Sequence, residues 1–315
     1  MTSKWWLGMG GLAVGLGTVA GTLLGFLGHR SWVFDLLGNF RFQYLWAGVL
    51  ALGAIAWNQW WRWIPVVGLG VLVNLVAVGP YLWGSIAEPA PGARLTILHL
   101  NTQAGNRDKA AVVELVRNAD ADLVLLAEVT PELLALIEDA ELPFQPLVGT
   151  PRSRPLGLLA LARQPTWTGR VTNLGAGRLP ALLLEGNFAE SPIQILAFHT
   201  SSPGREARSS ARNDQLTGAA RLVTERETPM ILVGDLNATP WTGAFRDLLN
   251  AGLVDAQRGR GIGGSWPAGW GPFKIPIDHL LHTSELTTTD FSFGPSAGSD
   301  HRSLRVTVAP TGESS

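Results

Sequence analysis

Several polar side chains follow directly after short apolar runs in the carboxyl-terminal two thirds of the chain. Asn101 follows LTILHL, Glu128 follows LVLLA and His199 follows QILAF. Because the loops that leave strand ends converge at one edge of an α/β sheet, these side chains are predicted to meet there. The remaining polar residues in such positions are Asp235 and Asn237 after ILVG, Asp278 after IPI, and the pair Asp300 and His301 before SLRVTV.

Together these residues supply carboxylates, amides and imidazoles. Oxygen donors of this kind bind hard cations such as Mg²⁺ or Mn²⁺, and a histidine beside an aspartate can transfer protons. Taken singly, most have a plainer interpretation, since Asn101 could cap a turn and GDLN could be a strand-terminating turn. Asp300 and His301 could likewise belong to an ordinary loop. Glu128 differs, because an uncompensated carboxylate at the end of an apolar run is costly to bury.

The order of these motifs resembles the endonuclease/exonuclease/phosphatase superfamily, which includes type I deoxyribonucleases, abasic-site endonucleases and neutral sphingomyelinases. The resemblance covers residues 95–308 and rests on LNTQ, LLAEV, FHTSSP, GDLNATP, IDH and SDH. GD-x-N-x-x-P, ID-H and a terminal S-D-H in one chain form a specific signal. The resemblance implies a metal-dependent phosphoesterase with a deoxyribonuclease I-like fold, an α/β layered β-sandwich flanked by helices.

The resemblance also implies roles for individual residues. Glu128 would be the principal carboxylate ligand of Mg²⁺ or Mn²⁺, with Asn101 beside it and Asp300 as a further acid near the metal. His301 would be the proton-transfer base, and Asp278 would orient its imidazole. The residues implied to act on water and phosphate are Asp235, which would orient the attacking water, Asn237, which would donate to a phosphate oxygen, and His199, which would contact the scissile phosphate or assist the leaving group.

Three arginines follow His199 in the sequence. Arg205, Arg208 and Arg212 could meet substrate phosphate or could be solvated charges at the start of the next helix, and solvated charges are predicted for two of the three. Arg212 and Gln215 resemble a recurring Arg-x-x-Gln pair of the family, for which a structural role is expected.

Composition excludes some classes of site. From residue 91 onward, 20 Lys and Arg face 23 Asp and Glu, a formal charge of −3. Bulk charge therefore gives no support to tight non-specific nucleic-acid binding, which depends on clustered Lys and Arg. The chain has no cysteine, which rules out disulfides, thiolate metal sites and cysteine nucleophiles.

The elements that must hold these residues are visible as alternating apolar runs and helical stretches. Strands are predicted at the six apolar runs that adjoin the polar residues named above, and also at GLLALAR and ALLLEGNF. Helices are predicted at 109–117, at 211–225 and after Thr242. This alternation indicates an α/β domain, predicted at residues 94–309 and followed by a disordered tail at 310–315.

The amino-terminal part differs in composition, and it carries only six charged residues before residue 91. Because 46% of the chain is hydrophobic and only 16% charged, membrane segments are predicted. Residues 1–86 are interpreted as an all-helical transmembrane region with spans at 5–27, 42–57 and 64–86, and residues 87–93 as a linker. Three glycines of the first span, Gly17, Gly21 and Gly25, are spaced four residues apart. This spacing either lets two helices approach closely in lipid or reflects only a segment rich in Gly, Ala and Leu.

These patterns predict a multi-pass protein of the plasma or inner membrane. With a cytoplasmic amino terminus, three spans place the catalytic domain on the non-cytoplasmic side. The expected partners are the lipid bilayer and a phosphoester substrate, which could be a lipid headgroup, a nucleotide or a nucleic acid; no protein partner is predicted.

Two alternatives concern the function of the whole chain. One is a catalytically silent membrane-bound module for binding or assembly, although every polar position of the motifs is filled. The other is a transporter-like unit, which is disfavoured because the spans contain almost no ionisable residues.

Overall fold

The computed structural model describes residues 3–153 and 155–312. Its helices are α1 Ser3–Phe26, α2 Trp32–Gly38, α3 Arg41–Trp57, α4 Ile64–Trp83, α5 Lys109–Arg117, α6 Pro131–Asp139, α7 Glu206–Glu225 and α8 Gly243–Asn250. Its strands are β1 Leu95–Asn101, β2 Leu123–Ala127, β3 Gln145–Gly149, β4 Leu158–Ala162, β5 Thr168–Leu174, β6 Leu179–Phe188, β7 Ser191–Phe198, β8 Met230–Asp235, β9 Leu253–Asp255, β10 Asp278–Thr283, β11 Leu286–Phe293 and β12 Leu304–Pro310. A helical region thus precedes an α/β domain.

The strands in these residues form two six-stranded sheets. One has the order β11-β12-β1-β2-β4-β3 and the other β5-β6-β7-β8-β10-β9. The β1–β2 and β7–β8 pairs are parallel. Apolar side chains from both sheets, among them Ile97, Leu125, Ile195 and Val233, form the core between them. The layered sandwich predicted from the sequence is confirmed.

Helices cover the outer faces of both sheets. Val116 of α5 and Leu133 of α6 pack on the first sheet, and Leu216 of α7 and Phe245 of α8 pack on the second. Because β2 is buried on both faces, LVLLA is a continuous apolar run rather than an alternating one.

Some elements lie outside the predicted pattern. The sequence patterns did not identify α2, α6, β3, β5, β9 or β11, and α7 begins at Glu206, before the expected start at 211. The segment predicted as a linker lies against the sheet, because the Ala90 amide donates to the Pro310 carbonyl at 2.8 Å. β12 extends to Pro310, and residues 313–315 of the predicted tail lie outside the described residues.

In the helical region, α1, α3 and α4 pack side by side. Within the described residues, two helices are long and apolar enough to cross a membrane, Ser3–Phe26 and Trp61–Trp83, whereas α3 has 17 residues. A Cβ on Gly25 would lie 2.9 Å from the Cα of Gly38, so glycine permits α1 to touch α2. A Cβ on Gly17 would have no neighbour within 4 Å.

One end of the helical region contacts the α/β domain. Nε2 of Gln43 in α3 donates to the Lys274 carbonyl at 3.1 Å, and the Trp241 indole donates to the Ala77 carbonyl of α4 at 3.2 Å. The helical region is therefore packed on the domain and not only linked to it.

Candidate active site

The structure brings the eight predicted site residues together at one edge of the sandwich. A cavity of about 490 Å³ opens there. Six of the eight line it: Glu128, His199, Asp235, Asn237, Asp300 and His301. Of the other two, Asn101 contacts Glu128 and Asp235, and Asp278 contacts His301.

Glu128 stands where β2 ends. Its φ of 58° lies in the left-handed region, which is uncommon for a residue with a side chain. The Ala104 amide donates to its Oε2 at 2.8 Å, and Nδ2 of Asn101 donates to its Oε1 at 3.2 Å. The carboxylate is thus fixed in place while remaining open to the cavity.

Asp235, the last residue of β8, lies at the centre of the site. Its Oδ2 accepts from Nδ2 of Asn101 at 2.9 Å and lies 3.3 Å from Nε2 of His199 and 3.8 Å from Nε2 of His301. The preceding glycine is required, because a Cβ on Gly234 would lie 1.8 Å from the Phe198 carbonyl oxygen. Strand β8 can therefore carry Asp235 into the site only with glycine before it.

Asn237 follows Asp235 in a tight turn with a φ of 47°. The Asn237 amide donates to Oδ1 of Asp235 at 2.9 Å. Its side-chain Nδ2 donates to the Thr200 carbonyl at 3.1 Å and lies 3.3 Å from Nε2 of His199. The turn holds the carboxamide at the cavity wall.

Asp278 contacts two histidines at once. Nδ1 of His301 lies 2.7 Å from its Oδ2, and Nε2 of His99 lies 3.1 Å from its Oδ1. Nδ1 of His99 is 3.0 Å from the Leu125 carbonyl oxygen, which anchors the ring between the sheets. The sequence interpretation missed His99, although strand alternation puts it on the same face of β1 as Asn101.

Burial and neighbouring charges shift several pKa values in this network. Burial alone lowers the pKa of His301, but the Asp278 and Asp235 carboxylates outweigh it and raise the pKa to about 10. Burial likewise opposes the charged form of His199, whose pKa the Asp235 carboxylate nevertheless raises. Against the effect of burial, His301 and His99 lower the pKa of Asp278, and His199 and His301 lower the pKa of Asp235. These shifts favour ionised carboxylates on Asp278 and Asp235 and the imidazolium form of His301 at neutral pH.

Asp300, beside His301 in the sequence, also lines the cavity and is held by two hydrogen bonds. The Trp266 indole donates to its Oδ2 at 3.0 Å, and its amide donates to Oε1 of Gln103 at 3.2 Å. Gln103 and Trp266, which also line the cavity, were not identified from the sequence.

The three arginines after His199 lie in different surroundings. Arg205 and Arg208 are exposed, whereas Arg212 is fully buried. Nη1 of Arg212 donates to the Asn237 carbonyl at 2.9 Å. Gln215 donates to the His199 carbonyl at 3.4 Å, so both residues of the Arg-x-x-Gln pair contact the backbone of the site.

The donor set fits a divalent cation. Asp235, Asp278 and His301 offer ligand atoms within 4.8 Å of one another. Both oxygens of Asp278 already contact histidines, however, whereas Glu128 and Asp300 direct carboxylates at the cavity. Carboxylates and amides are the donors that Mg²⁺ and Mn²⁺ prefer.

The motif-bearing segment matches a known family over more than half of the chain. Residues 98–301 match the Endonuclease/Exonuclease/phosphatase family. The chain belongs to this family. It is a hydrolase of phosphoester bonds, the class of reaction that the family name describes. No curated protein sequence is similar enough to count as a relative.

Solved structures of the family share the fold at low sequence identity. D. rerio TDP2 humanized by 14 mutations is 14% identical, with a TM-score of 0.57 over 68% of this chain and 98% of that chain. The mannosyl-6-phosphatase Bt3783 of Bacteroides thetaiotaomicron is 15% identical, with a TM-score of 0.54 over 68% and 99%. The human Nocturnin catalytic domain is 17% identical, with a TM-score of 0.52 over 69% and 95%. In each case the shared part is about two thirds of this chain.

Proposed function

We propose that this family member is a membrane-anchored, divalent-metal-dependent phosphoesterase that hydrolyses a phosphodiester or phosphomonoester by in-line attack of water. The observation that carries the proposal is the convergence of Glu128, Asp235 and His301 on one cavity, with Asp278 buried behind His301. This arrangement provides oxygen ligands, an ionised carboxylate and a positioned imidazole within a few ångströms.

Each side chain of the site has a separate role in the proposed reaction. Ionised Asp235 orients the attacking water and can accept its proton. His301, held by Asp278 at 2.7 Å, donates a hydrogen bond or a proton to the phosphate. Nδ2 of Asn237 and the His199 ring present donors at the same wall, where the attacked phosphate gathers negative charge.

Glu128 would be the principal ligand of Mg²⁺ or Mn²⁺, with Asp300 as a further acid beside the ion. Asn101 directs Nδ2 at Glu128 and Asp235, so its amide oxygen would reach an ion only after the amide turns over. A bound cation would neutralise charge on the phosphate. It would also oppose the positive charge of His301 and lower the pKa of that imidazole.

The surface of the helical region supports anchoring in a bilayer. Leu50, Leu69 and Val76 are 74%, 63% and 68% exposed on α3 and α4. Many exposed apolar side chains of this size in one region are typical of surfaces that meet lipid or another protein. Together with two helices of membrane-spanning length, they favour the bilayer. Three crossings, and a catalytic domain on the non-cytoplasmic side, stay predictions.

The cavity wall favours a lipid phosphoester over a nucleotide or nucleic acid. Leu36 and Phe40 from the helical region and Ile275 and Ile277 from the domain line it. An apolar wall beside the phosphate-facing residues suits a substrate whose leaving group carries a hydrocarbon part. The formal charge of −3 from residue 91 onward gives no attraction for a polyanion.

The test uses the full-length chain in lipid nanodiscs. Product release is measured from bis-p-nitrophenyl phosphate, phospholipid vesicles and supercoiled plasmid, with Mg²⁺, Mn²⁺ or EDTA. We expect metal-dependent turnover that Glu128→Ala and His301→Ala each reduce by at least about 10²-fold, because each removes a metal or proton-transfer contribution.

Glu138→Ala, which removes an exposed carboxylate of α6, is the matched control and should leave turnover unchanged. Vesicle hydrolysis without plasmid cleavage would assign the lipid class. Absence of metal-dependent turnover on all three substrates would contradict the proposal and favour the silent binding module.

A further inference from the structure

Helix α2 and the residues after it form part of the wall of the active-site cavity. Leu36, Asn39 and Phe40 line the same cavity as Asn237 and His199. This segment belongs to the helical region, outside the matched residues 98–301. The site is therefore built from two regions of the chain.

Asp35 of α2 is the acidic partner of Arg212. Nη2 of Arg212 donates to Oδ2 of Asp35 at 2.5 Å, and both side chains are buried. The other acceptors of this guanidinium, Oδ1 of Asn213 and the Asn237 carbonyl, are neutral. Since a buried charge without a counterion is strongly unfavourable, the position of Arg212 depends on Asp35.

Arg212 transmits this contact to the backbone of the GDLN turn. Its Nη1 holds the carbonyl of Asn237, a residue with a φ of 47°. Such a left-handed conformation persists for a non-glycine residue only where surrounding contacts maintain it. The same turn sets the direction of the Asn237 carboxamide at the cavity.

A second contact comes from Asn39, directly after α2, and reaches Thr239, two residues beyond Asn237. Oδ1 of Asn39 accepts from the Thr239 amide at 3.0 Å, while Nδ2 of Asn39 donates to the Asp35 and Leu36 carbonyls, both at 3.2 Å. Asn39 thus joins the end of α2 to the segment that follows Asn237. Asp35 of α2 and Asn39 directly after it thus both act on residues 237–239, Asp35 through Arg212 and Asn39 directly.

We infer that Asp35 and Asn39 are positioning residues of the active site, acting through Arg212 and the Thr239 amide on the GDLN turn. The inference rests on the proposed phosphoesterase activity. The helical region is then part of the catalytic unit, and it contributes to turnover of a soluble substrate as well as to membrane attachment.

The test is Asp35→Asn in the full-length protein in nanodiscs, assayed with the soluble substrate bis-p-nitrophenyl phosphate. Asparagine keeps the size and removes the charge. We expect kcat to fall by about 10- to 10²-fold, as for a small displacement of a reacting group. KM should change much less, because Glu128, Asp300 and the apolar side chains of Ile275 and Ile277 on the cavity wall are unaltered.

Hydrogen exchange of the amides at 236–242 provides a readout independent of activity. Asp35→Asn should accelerate exchange there, and Asn39→Ala should accelerate it at Thr239. The matched control is Glu225→Gln, which removes the exposed ion pair with Arg221 on α7, the helix that also carries Arg212. It should change neither kcat nor exchange.

The results separate the two proposals. Wild-type turnover together with unchanged kcat and unchanged exchange in Asp35→Asn would overturn the inference. A lower melting temperature with an unchanged kcat per folded molecule would also overturn it, because Asp35 would then act on stability alone. Inactive wild-type protein would refute the proposed activity, and the exchange measurement would still decide whether α2 positions the turn.

Discussion

Polar side chains serve different purposes in the two regions of the molecule. In the sandwich, His99, Asp278 and His301 form a continuous buried network that one domain completes by itself. In the helical region, Asp35 and Asn39 have few polar neighbours of their own, and each makes a contact with the α/β domain. The first network can generate reactive groups, whereas the second can only place a backbone segment.

This difference sets the order of expected effects. Changing the internal network alters the charge and orientation of a group that faces the cavity. Changing the helical contacts shifts a turn that faces the cavity and leaves its chemistry intact. Substitutions in the sandwich network should therefore reduce turnover more than substitutions in α1 or α2.

Asp278→Asn should have the largest effect. The substitution keeps the shape of the side chain but removes the charge that holds Nδ1 of His301 at 2.7 Å. The imidazole loses its orientation and its raised pKa, and we expect kcat to fall by about 10³- to 10⁴-fold, of the order found when the carboxylate of a Ser-His-Asp site is replaced by an amide. Steady-state kinetics with bis-p-nitrophenyl phosphate measure the change.

Asp290→Asn, which removes an exposed ion pair with Arg305 at 2.7 Å, is the control and should be silent. If Asp278→Asn lowered kcat less than Asp35→Asn does, the ranking of the two regions would be wrong.

Sequence patterns point most directly to candidate site residues where a polar residue interrupts the end of an apolar run. Glu128 and Asp235 stand out for this reason, and the structure brings both to the cavity. His99 lies within an apolar run, and only its contact with Asp278, 179 positions away, distinguishes it. Asp35 and Arg212 are 177 positions apart, and no local pattern joins two such residues.

The missed strands have a common physical cause. β5 and β11 lie at the edges of their sheets, and much of each is exposed. Edge strands bury less side-chain surface than central strands, so they lack the apolar run that reveals β2 and β8. The central strands of the sheets could therefore be predicted from the sequence, whereas the edge strands could not.

Gly25→Val should have an intermediate effect that tests the helical side of the comparison. A Cβ at Gly25 would lie 2.9 Å from the Cα of Gly38, so valine must push α2 away from α1. We expect a loss of about 1–3 kcal/mol in stability, as for other overpacked contacts. The displacement of α2 should also lower kcat by about 10-fold through Asp35 and Asn39.

Gly17→Val is the matched control on the same helix, because a Cβ at Gly17 has no neighbour within 4 Å. Melting temperature and kcat in nanodiscs are compared for both variants. If Gly25→Val lowered the melting temperature but had the kcat of wild type, the packing of α1 on α2 would contribute to stability and not to catalysis.

The smallest expected effect is a change in stability with pH. We assign it to the sandwich, because its network contains histidines, whereas Asp35 and Asn39 contact none. The pKa of His301 is raised from 6.5 to about 10, so its stabilising contribution is fully present below pH 6.5. That contribution is lost as pH rises toward 10. Asp278 and Asp235, whose pKa values are lowered, remain ionised throughout this window.

Wild type and His301→Gln should therefore converge in melting temperature between pH 6.5 and 10, by at least about 2 °C. The measurement is made without divalent cations, because a bound cation would itself lower the pKa of His301. Gly17→Val, which changes no titratable group, should keep a constant difference from wild type. If the difference in melting temperature between wild type and His301→Gln stayed constant across this pH range, Asp278 would hold a neutral imidazole. His301 could then accept a proton before any metal binds.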